Sequence, residues 1–78
     1  LSGYKIMETL MDVFIGAAME PNRFYSQQLI RRVSSQYDIH SDNMETRIMA
    51  VIDYISGMTD VYALDIYQKI NGAALPIV

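Results

Sequence analysis

The sequence predicts an all-α fold, a small bundle of about four helices. Apolar residues recur at helical spacing in four stretches, and no stretch shows the alternation of a half-buried strand. Glycine, proline or cap-forming residues separate the four stretches. Nothing repeats at a fixed period, so a repeat architecture is not indicated.

The first predicted helix covers residues 4–19, and its apolar residues fall on two neighbouring stripes. The stripes consist of Ile6, Leu10, Val13 and Ala17 and of Met7, Met11, Phe14 and Ala18. So broad an apolar face needs cover on more than one side. The helix is expected to stop at Glu20 and Pro21, because proline cannot continue a helix interior and disfavours helical backbone at the preceding residue.

A second, shorter and more exposed helix is predicted to begin after an N-cap at Ser26. Its apolar side is expected to consist of Leu29, Ile30, Val33 and Tyr37. Its outward side is expected to consist of Gln27, Gln28, Arg31 and Arg32.

A third helix is predicted to begin at a capping box formed by Asp42 and Glu45, and to run to about Ser56. Its apolar face is expected to consist of Met44, Ile48, Val51, Ile52 and Ile55. A fourth helix is predicted over residues 60–70 and closes at Asn71 and Gly72. Its apolar residues are Ala63, Ile66, Tyr67 and Ile70. The apolar tail, residues 73–78, is expected to dock as an extended strap.

The stretch IDYISGMTDVYA, residues 52–63, joins the last two helices and contains residues suited either to a corner or to chemistry. Gly57 is expected in the left-handed conformation, with its amide and that of Met58 bonded back to helix carbonyls. Thr59 is expected to cap the next helix, and Asp60 to lie in its first turn, where a carboxylate is favoured. We interpret the stretch as a structural corner, with direct chemistry as the alternative.

The composition excludes several classes of function. The 78 residues contain no cysteine, which excludes disulfides, thiolate metal sites and cysteine nucleophiles. A formal net charge of -3 from dispersed residues gives no footprint for duplex nucleic acid. No apolar run approaches the ~20 residues of a membrane-spanning helix. We therefore expect a cytoplasmic chain that binds neither membrane nor duplex nucleic acid. Because it begins at Leu1, we expect a piece of a longer polypeptide.

Few residues have the chemistry of a catalytic or metal site. His40 is the only histidine, and a metal site needs several converging ligands, so none is predicted within the chain. Ser34 and Ser35 have no nearby base, and no glycine-rich phosphate loop is present. The six tyrosines suit an interface, because a phenol has an apolar body and a polar tip.

The stretch DYISGMTDVYALDIYQKI, residues 53–70, closely resembles the C-terminal signature of bacterial deoxyguanosinetriphosphate triphosphohydrolases. These enzymes form the dGTPase branch of the His-Asp (HD) phosphohydrolases. The opening GYKIMETLMDVF, residues 3–14, resembles the helix that begins the C-terminal associated segment of that family. The resemblance extends from Gly3 to about Ile70 and is weak between Arg23 and Asn43.

The resemblance implies that the parent enzyme hydrolyses dGTP to deoxyguanosine and triphosphate. It also implies a divalent metal in the parent, held by two histidines and two aspartates, that activates water. These ligands lie upstream in the family, so none is assigned here and no cofactor is expected within the chain. The family often has a basic residue where this chain has Val61, so no phosphate contact is transferred to that position.

We therefore interpret residues 1–78 as a single helical, C-terminal HD-associated domain that is inactive alone. It is expected to pack against the parent catalytic domain and to support a homo-oligomer. Arg47, Asp60 and Lys69 are the candidates for contacts with the nucleotide substrate or another subunit, with helix-surface or capping roles as the alternative. The alternative function is a stand-alone helical adaptor that binds a partner helix through tyrosine and methionine side chains.

Overall fold

The computed structural model describes residues 3–72, and this part of the chain forms four α-helices without a β-strand. The helices are α1 (Gly3–Met19), α2 (Phe24–Ile30), α3 (Met44–Ser56) and α4 (Asp60–Asn71). The predicted all-α bundle is confirmed. The tail predicted to dock as a strap lies outside the described residues.

Helix α1 is the central element, because the other three helices all pack on it. Its largest interface is with α3, followed by those with α2 and α4. Residues from both predicted stripes are buried, namely Ile6, Leu10, Phe14, Ala17 and Ala18. The expectation that this broad apolar face needs more than one partner is therefore correct.

The core extends beyond the helices into the connection between α2 and α3. The largest fully buried side chains are Phe14, Leu10, Leu29, Ile39, Ile55, Ile66 and Val51. Ile39 lies in this connection, where its amide donates to the Tyr37 carbonyl at 2.8 Å in a tight turn. Val33, also in the connection, is buried as well. The connection thus covers part of the core instead of running free over the surface.

The predicted start of the second helix is wrong. The N-cap is Arg23, without a side-chain cap bond, and Ser26 is buried inside the helix. The preceding turn is ordered instead by Gln27, whose side-chain amide donates to the Pro21 carbonyl and whose backbone amide donates to the Arg23 carbonyl. This turn allows the helix to begin nearer to Pro21 than the cap pattern indicates.

The second helix is also shorter than its predicted apolar side, which reaches Tyr37. The helix ends at Ile30, and the amides of Arg32 and Val33 donate three residues back, to Leu29 and Ile30, each at 3.0 Å. These hydrogen bonds are of the 3₁₀ type, so they form turns and do not continue the α-helix. Val33 and Tyr37, predicted on the helix face, therefore contribute to the core from the loop.

The capping box predicted at Asp42 and Glu45 is wrong by one residue. Asn43 is the N-cap of α3, and its side-chain oxygen accepts from the Thr46 amide at 2.9 Å. Asn43 has the extended backbone that an N-cap requires, with φ -88° and ψ 122°. Asp42 is left exposed outside the helix. Met44, predicted on the apolar face, is exposed in the first turn.

Helix α4 begins and ends close to the predicted positions. It runs from Asp60 to Asn71, and Gly72 follows as its C-cap. Its buried residues are Ala63, Ile66 and Ile70. Because its main contact is with α1, much of its surface has no cover among the described residues.

Replacement of Leu10 by Ala is expected to destabilise the chain by about 2 to 5 kcal/mol, because Leu10 is fully buried where the helices meet. The measurement is the free energy of unfolding in urea. Leu64→Ala is the matched control, because Leu64 is 42% exposed. Its expected effect is within ~0.5 kcal/mol. Equal losses for the two variants would contradict the central position of α1.

Candidate functional site

The corner between α3 and α4 is formed by backbone hydrogen bonds that extend α3 by one turn. The amide of Gly57 donates to the Asp53 carbonyl at 3.2 Å, and the amide of Met58 donates to the Ile55 carbonyl at 3.1 Å. Both amides thus bond back to helix carbonyls, as predicted. Met58 is half-buried and packs against the core.

The left-handed conformation predicted for Gly57 is wrong. Its φ is -88° and its ψ is 0°, so a right-handed turn makes the bend and no positive φ is needed. A Cβ at this position would lie 3.5 Å from the Asp53 carbonyl oxygen and 3.6 Å from the Tyr37 hydroxyl, which are ordinary contact distances. The structure therefore gives no reason for a large conformational penalty at Gly57.

Thr59 forms the predicted N-cap of α4. Its hydroxyl accepts from the Tyr62 amide at 3.1 Å, and its own backbone is extended. Asp60 lies in the first turn, with the carboxylate at the positive end of the helix dipole. Asp60 is exposed and has no ion-pair partner among the described residues.

Arg47 joins the end of α1 to the loop that precedes α3. Its Nε donates to the Ala18 carbonyl at 2.8 Å, and its Nη1 donates to the Ser41 carbonyl at 2.8 Å. The Ala18 carbonyl is among the last carbonyls of α1, which lack partners within the helix and favour a cation. Arg47 is half-buried, so these bonds are partly shielded from water. Its position indicates a structural role.

Lys69 lies on α4 and pairs with Asp65 at 3.0 Å, one helical turn away. Asp65 is exposed and Lys69 is half-buried, and an ion pair one turn apart on a helix surface contributes little to stability. Asp60 and Lys69 are nine residues apart on one helix, which places them about 13 Å apart along its axis. Arg47 lies on α3 and contacts the C-terminal end of α1. The structure thus shows no shared pocket for the three candidates.

Three tyrosines form a cluster that the sequence analysis did not identify. Tyr54 packs against Phe14, Tyr37 and Tyr62, with ring centroids 5.6, 5.8 and 6.3 Å apart. The Tyr54 hydroxyl donates to the Arg32 carbonyl at 3.2 Å and lies 2.9 Å from the Tyr62 hydroxyl. Because a phenol has one hydrogen, Tyr62 is the donor to Tyr54. The only sequence signal was the number of tyrosines.

This hydrogen-bonded chain connects α4 and α3 through the two tyrosine side chains and ends at the backbone carbonyl of Arg32 in the loop after α2. Burial raises the pKa of the Tyr54 hydroxyl well above its ordinary value. Tyr54 therefore remains neutral at physiological pH and acts as a structural donor. It is not a candidate base or nucleophile.

Two surface clefts lie beside these elements. One, of about 360 Å³, is lined by Ser34, Gln36, Tyr37, Tyr54, Gly57, Met58, Thr59 and Tyr62. The other, of about 400 Å³, is lined by Pro21, Asn22, Gln27, Ile30, His40, Ser41, Asp42 and Arg47. The first contains no ionisable carboxylate, lysine or arginine, and the second combines a cation with a carboxylate.

Neither cleft has the ligands of a metal centre. Within residues 3–72, no three histidine, aspartate or glutamate side chains come close enough to hold an ion. His40 lines the second cleft with Asp42, in an exposed loop. Within residues 3–72, every helix is too short or too polar to span a lipid bilayer.

The phosphohydrolase-associated domain family matches residues 3–69, nearly all of the chain that the structure describes. The chain belongs to this family. The resemblance seen in residues 3–14 and 53–70 is thus confirmed, and the four-helix bundle is the fold of this phosphohydrolase-associated domain.

Two curated relatives support the same assignment. A deoxyguanosinetriphosphate triphosphohydrolase-like protein of Listeria monocytogenes serovar 1/2a has 30% sequence identity to this chain over an alignment that covers 92% of the chain. A protein of the same name from Listeria innocua serovar 6a is also 30% identical over 92% of the chain. The phosphohydrolase-associated domain spans only 19% of the length of each relative. No solved structure matches the chain.

Replacement of Arg47 by Met is expected to destabilise the phosphohydrolase-associated domain by about 1.5 to 3 kcal/mol, because two hydrogen bonds from a charged group are lost. Arg47→Lys is expected to restore only part of this loss, since an ammonium lacks the planar fork. The measurement is the free energy of unfolding by urea denaturation.

Arg31→Met is the matched control, because Arg31 is exposed and its side chain makes no hydrogen bond or ion pair with residues 3–72. Its expected effect is within ~0.5 kcal/mol. If Arg47→Met costs no more than Arg31→Met, the structural role of Arg47 is refuted.

Proposed function

We propose that the chain is the C-terminal helical segment of a dNTP triphosphohydrolase that hydrolyses dGTP to deoxyguanosine and triphosphate. In this enzyme the segment packs against the catalytic domain, helps to assemble the subunits of a homo-oligomer and contributes to the nucleotide pocket. The observation that carries the proposal is the family match over residues 3–69, together with two relatives named as triphosphohydrolase-like.

The small share of the relatives' length that this chain covers supports a catalytic domain separate from the helical segment. The segment spans 19% of their length, so the remaining length has room for a separate catalytic domain. We propose that this domain supplies the divalent metal site. The residues described here do not fit such a site, since no three metal-ligating side chains come together within them. We therefore assign no catalytic step to residues 3–72.

We propose that this segment contributes by holding its helices in a fixed arrangement against the catalytic domain. Arg47 fixes the end of α1 relative to α3, and the Thr59 cap defines where α4 begins after the corner. Both interactions satisfy backbone groups at helix ends, and such groups otherwise need water or another partner. The angle between the helices is thereby fixed, which gives the catalytic domain a rigid surface for packing.

Of the three candidate contact residues, Asp60 and Lys69 are the ones available to another surface. Asp60 has no ionic partner in the described ranges, and the surface pair of Lys69 with Asp65 contributes little on its own. A phosphate or a carboxylate could therefore replace Asp65 as the partner of Lys69. Arg47 already uses Nε and Nη1 within the domain, so its contribution to function is indirect.

The test is the full-length reading frame, expressed and assayed for metal-dependent release of triphosphate from dGTP. We expect activity from the full-length protein and none from the 78-residue chain alone. Truncation before Gly57 is expected to abolish most activity and to give a less assembled protein, because α4 and the corner are removed. Full-length protein without triphosphate release would refute the proposed activity.

Thr59→Ala is the matched variant, since it removes only the cap hydroxyl. It is expected to cost about 1 kcal/mol of stability and to leave kcat nearly normal. A hundredfold lower kcat corresponds to roughly 2.7 kcal/mol of lost transition-state stabilisation. Such a loss, with normal melting and oligomer size, would place the corner in the active site.

A further inference from the structure

An exposed apolar face extends across one side of α1 and α4. We define this α1–α4 face by Tyr4, Met7, Met11 and Leu64, which line its grooves, and by Val61, which lies three residues before Leu64 on α4 and is therefore its neighbour on the helix surface. Tyr4 is 83% exposed and Val61 is 80% exposed, although both are large apolar side chains. Leu64 is 42% exposed, and Met7 and Met11 are half-buried.

Two grooves run along this face and meet at Met7. The first, of about 320 Å³, is lined by Tyr4, Met7, Glu8, Met11 and Asp12. The second, of about 240 Å³, is lined by Gly3, Ile6, Met7, Asp60, Ala63 and Leu64. Because Met7 lines both, the grooves form one continuous surface. Contiguous exposed apolar surface of this kind marks an interaction site.

We propose that the α1–α4 face binds an apolar helix from the part of the same polypeptide that precedes α1 in the full-length enzyme. This inference rests on the proposed function, since it requires a longer parent chain. The relatives are about five times as long as the segment, which covers 19% of each. Such a parent has ample chain to supply the occupant.

The path of the chain favours an occupant from the same copy. Gly3 is the first residue of α1, and it lines the second groove itself. A segment that precedes Gly3 therefore emerges beside the α1–α4 face. A short connection gives such a segment a high effective concentration, which favours intramolecular docking over docking between copies.

The charges at the edge of the face also argue against a second copy of the same surface. Glu8, Asp12 and Asp60 line the grooves. Glu8 pairs with Lys5 at 3.3 Å, whereas Asp12 and Asp60 have no ion pair within residues 3–72. In a two-fold dimer this surface would meet its own acidic edge, which is unfavourable. The expected occupant is an apolar helix flanked by lysine or arginine.

The test is photo-crosslinking in the full-length protein, with p-benzoylphenylalanine in place of Val61. Peptide mapping is expected to identify a crosslink to a helix upstream of residue 1 and within the same copy. Mixing light and isotopically heavy copies before irradiation distinguishes crosslinks within one copy from those between copies. Crosslinks only between copies, or only to residues 1–78, would overturn the proposal.

Phe24 is the matched control position, because it is 66% exposed and follows the opposite end of α1. The sixteen steps from Gly3 to Met19 separate the two ends by about 24 Å. The upstream crosslink from position 61 is expected to exceed any from position 24. An upstream yield at position 61 that is no higher than that at position 24 would also refute the proposal.

The same preparation separates this inference from the proposed function. Triphosphate release without the upstream crosslink would refute the docking of the α1–α4 face and leave the proposed activity intact. The upstream crosslink without triphosphate release would support the docking and refute the proposed activity.

Discussion

A helix that is apolar on two neighbouring stripes cannot be covered by one partner helix, and α1 is such a helix. Its buried residues come from both stripes, and α2, α3 and α4 all pack on it. Apolar burial contributes roughly 25 cal/mol per Å², so each uncovered part of the stripes is a loss of stability. In a small domain, where the core is limited, that constraint decides the arrangement. Met7 and Met11, which are incompletely covered members of one stripe, belong to the α1–α4 face.

The polar interactions fix how the helices meet. Arg47 satisfies a carbonyl at the end of α1, Thr59 caps α4, and the Tyr62–Tyr54–Arg32 hydrogen bonds connect α4 to α3 and the preceding loop. Each uses a group that is costly to bury without a partner. The residues that resemble the family signature thus have structural roles: Tyr54 in the core, Gly57 at the corner and Thr59 at the cap.

The sequence predicted the elements whose causes are local. The stripes of α1, the break at Pro21, the cap at Thr59 and the end of α4 follow from residue spacing and backbone preferences. It failed where several neighbouring residues could perform one function. Ser26 and Asp42 are good cap residues by type, yet Arg23 and Asn43 hold the cap positions. Tertiary packing and the turns between helices select among such equivalents.

The candidate site was less predictable for the same reason. Arg47 contacts Ala18, which lies far away in sequence, so no local pattern could identify its role. The residue type alone did not predict the backbone conformation of Gly57. A glycine after a helix is commonly left-handed, and this one is right-handed. The tyrosine cluster depends on the packing of α4 on α1, which places Tyr62 beside Tyr54.

The central claim is that the other three helices all pack on α1, whereas α4 packs mainly on α1 and is incompletely covered. Amide hydrogen exchange tests this claim directly. In the 78-residue chain, the amides of Ile66 and Ile70 are expected to exchange at least about tenfold faster than those of Leu10 and Phe14. In the full-length protein this difference is expected to diminish. Equal protection of α1 and α4 in the 78-residue chain would contradict the account.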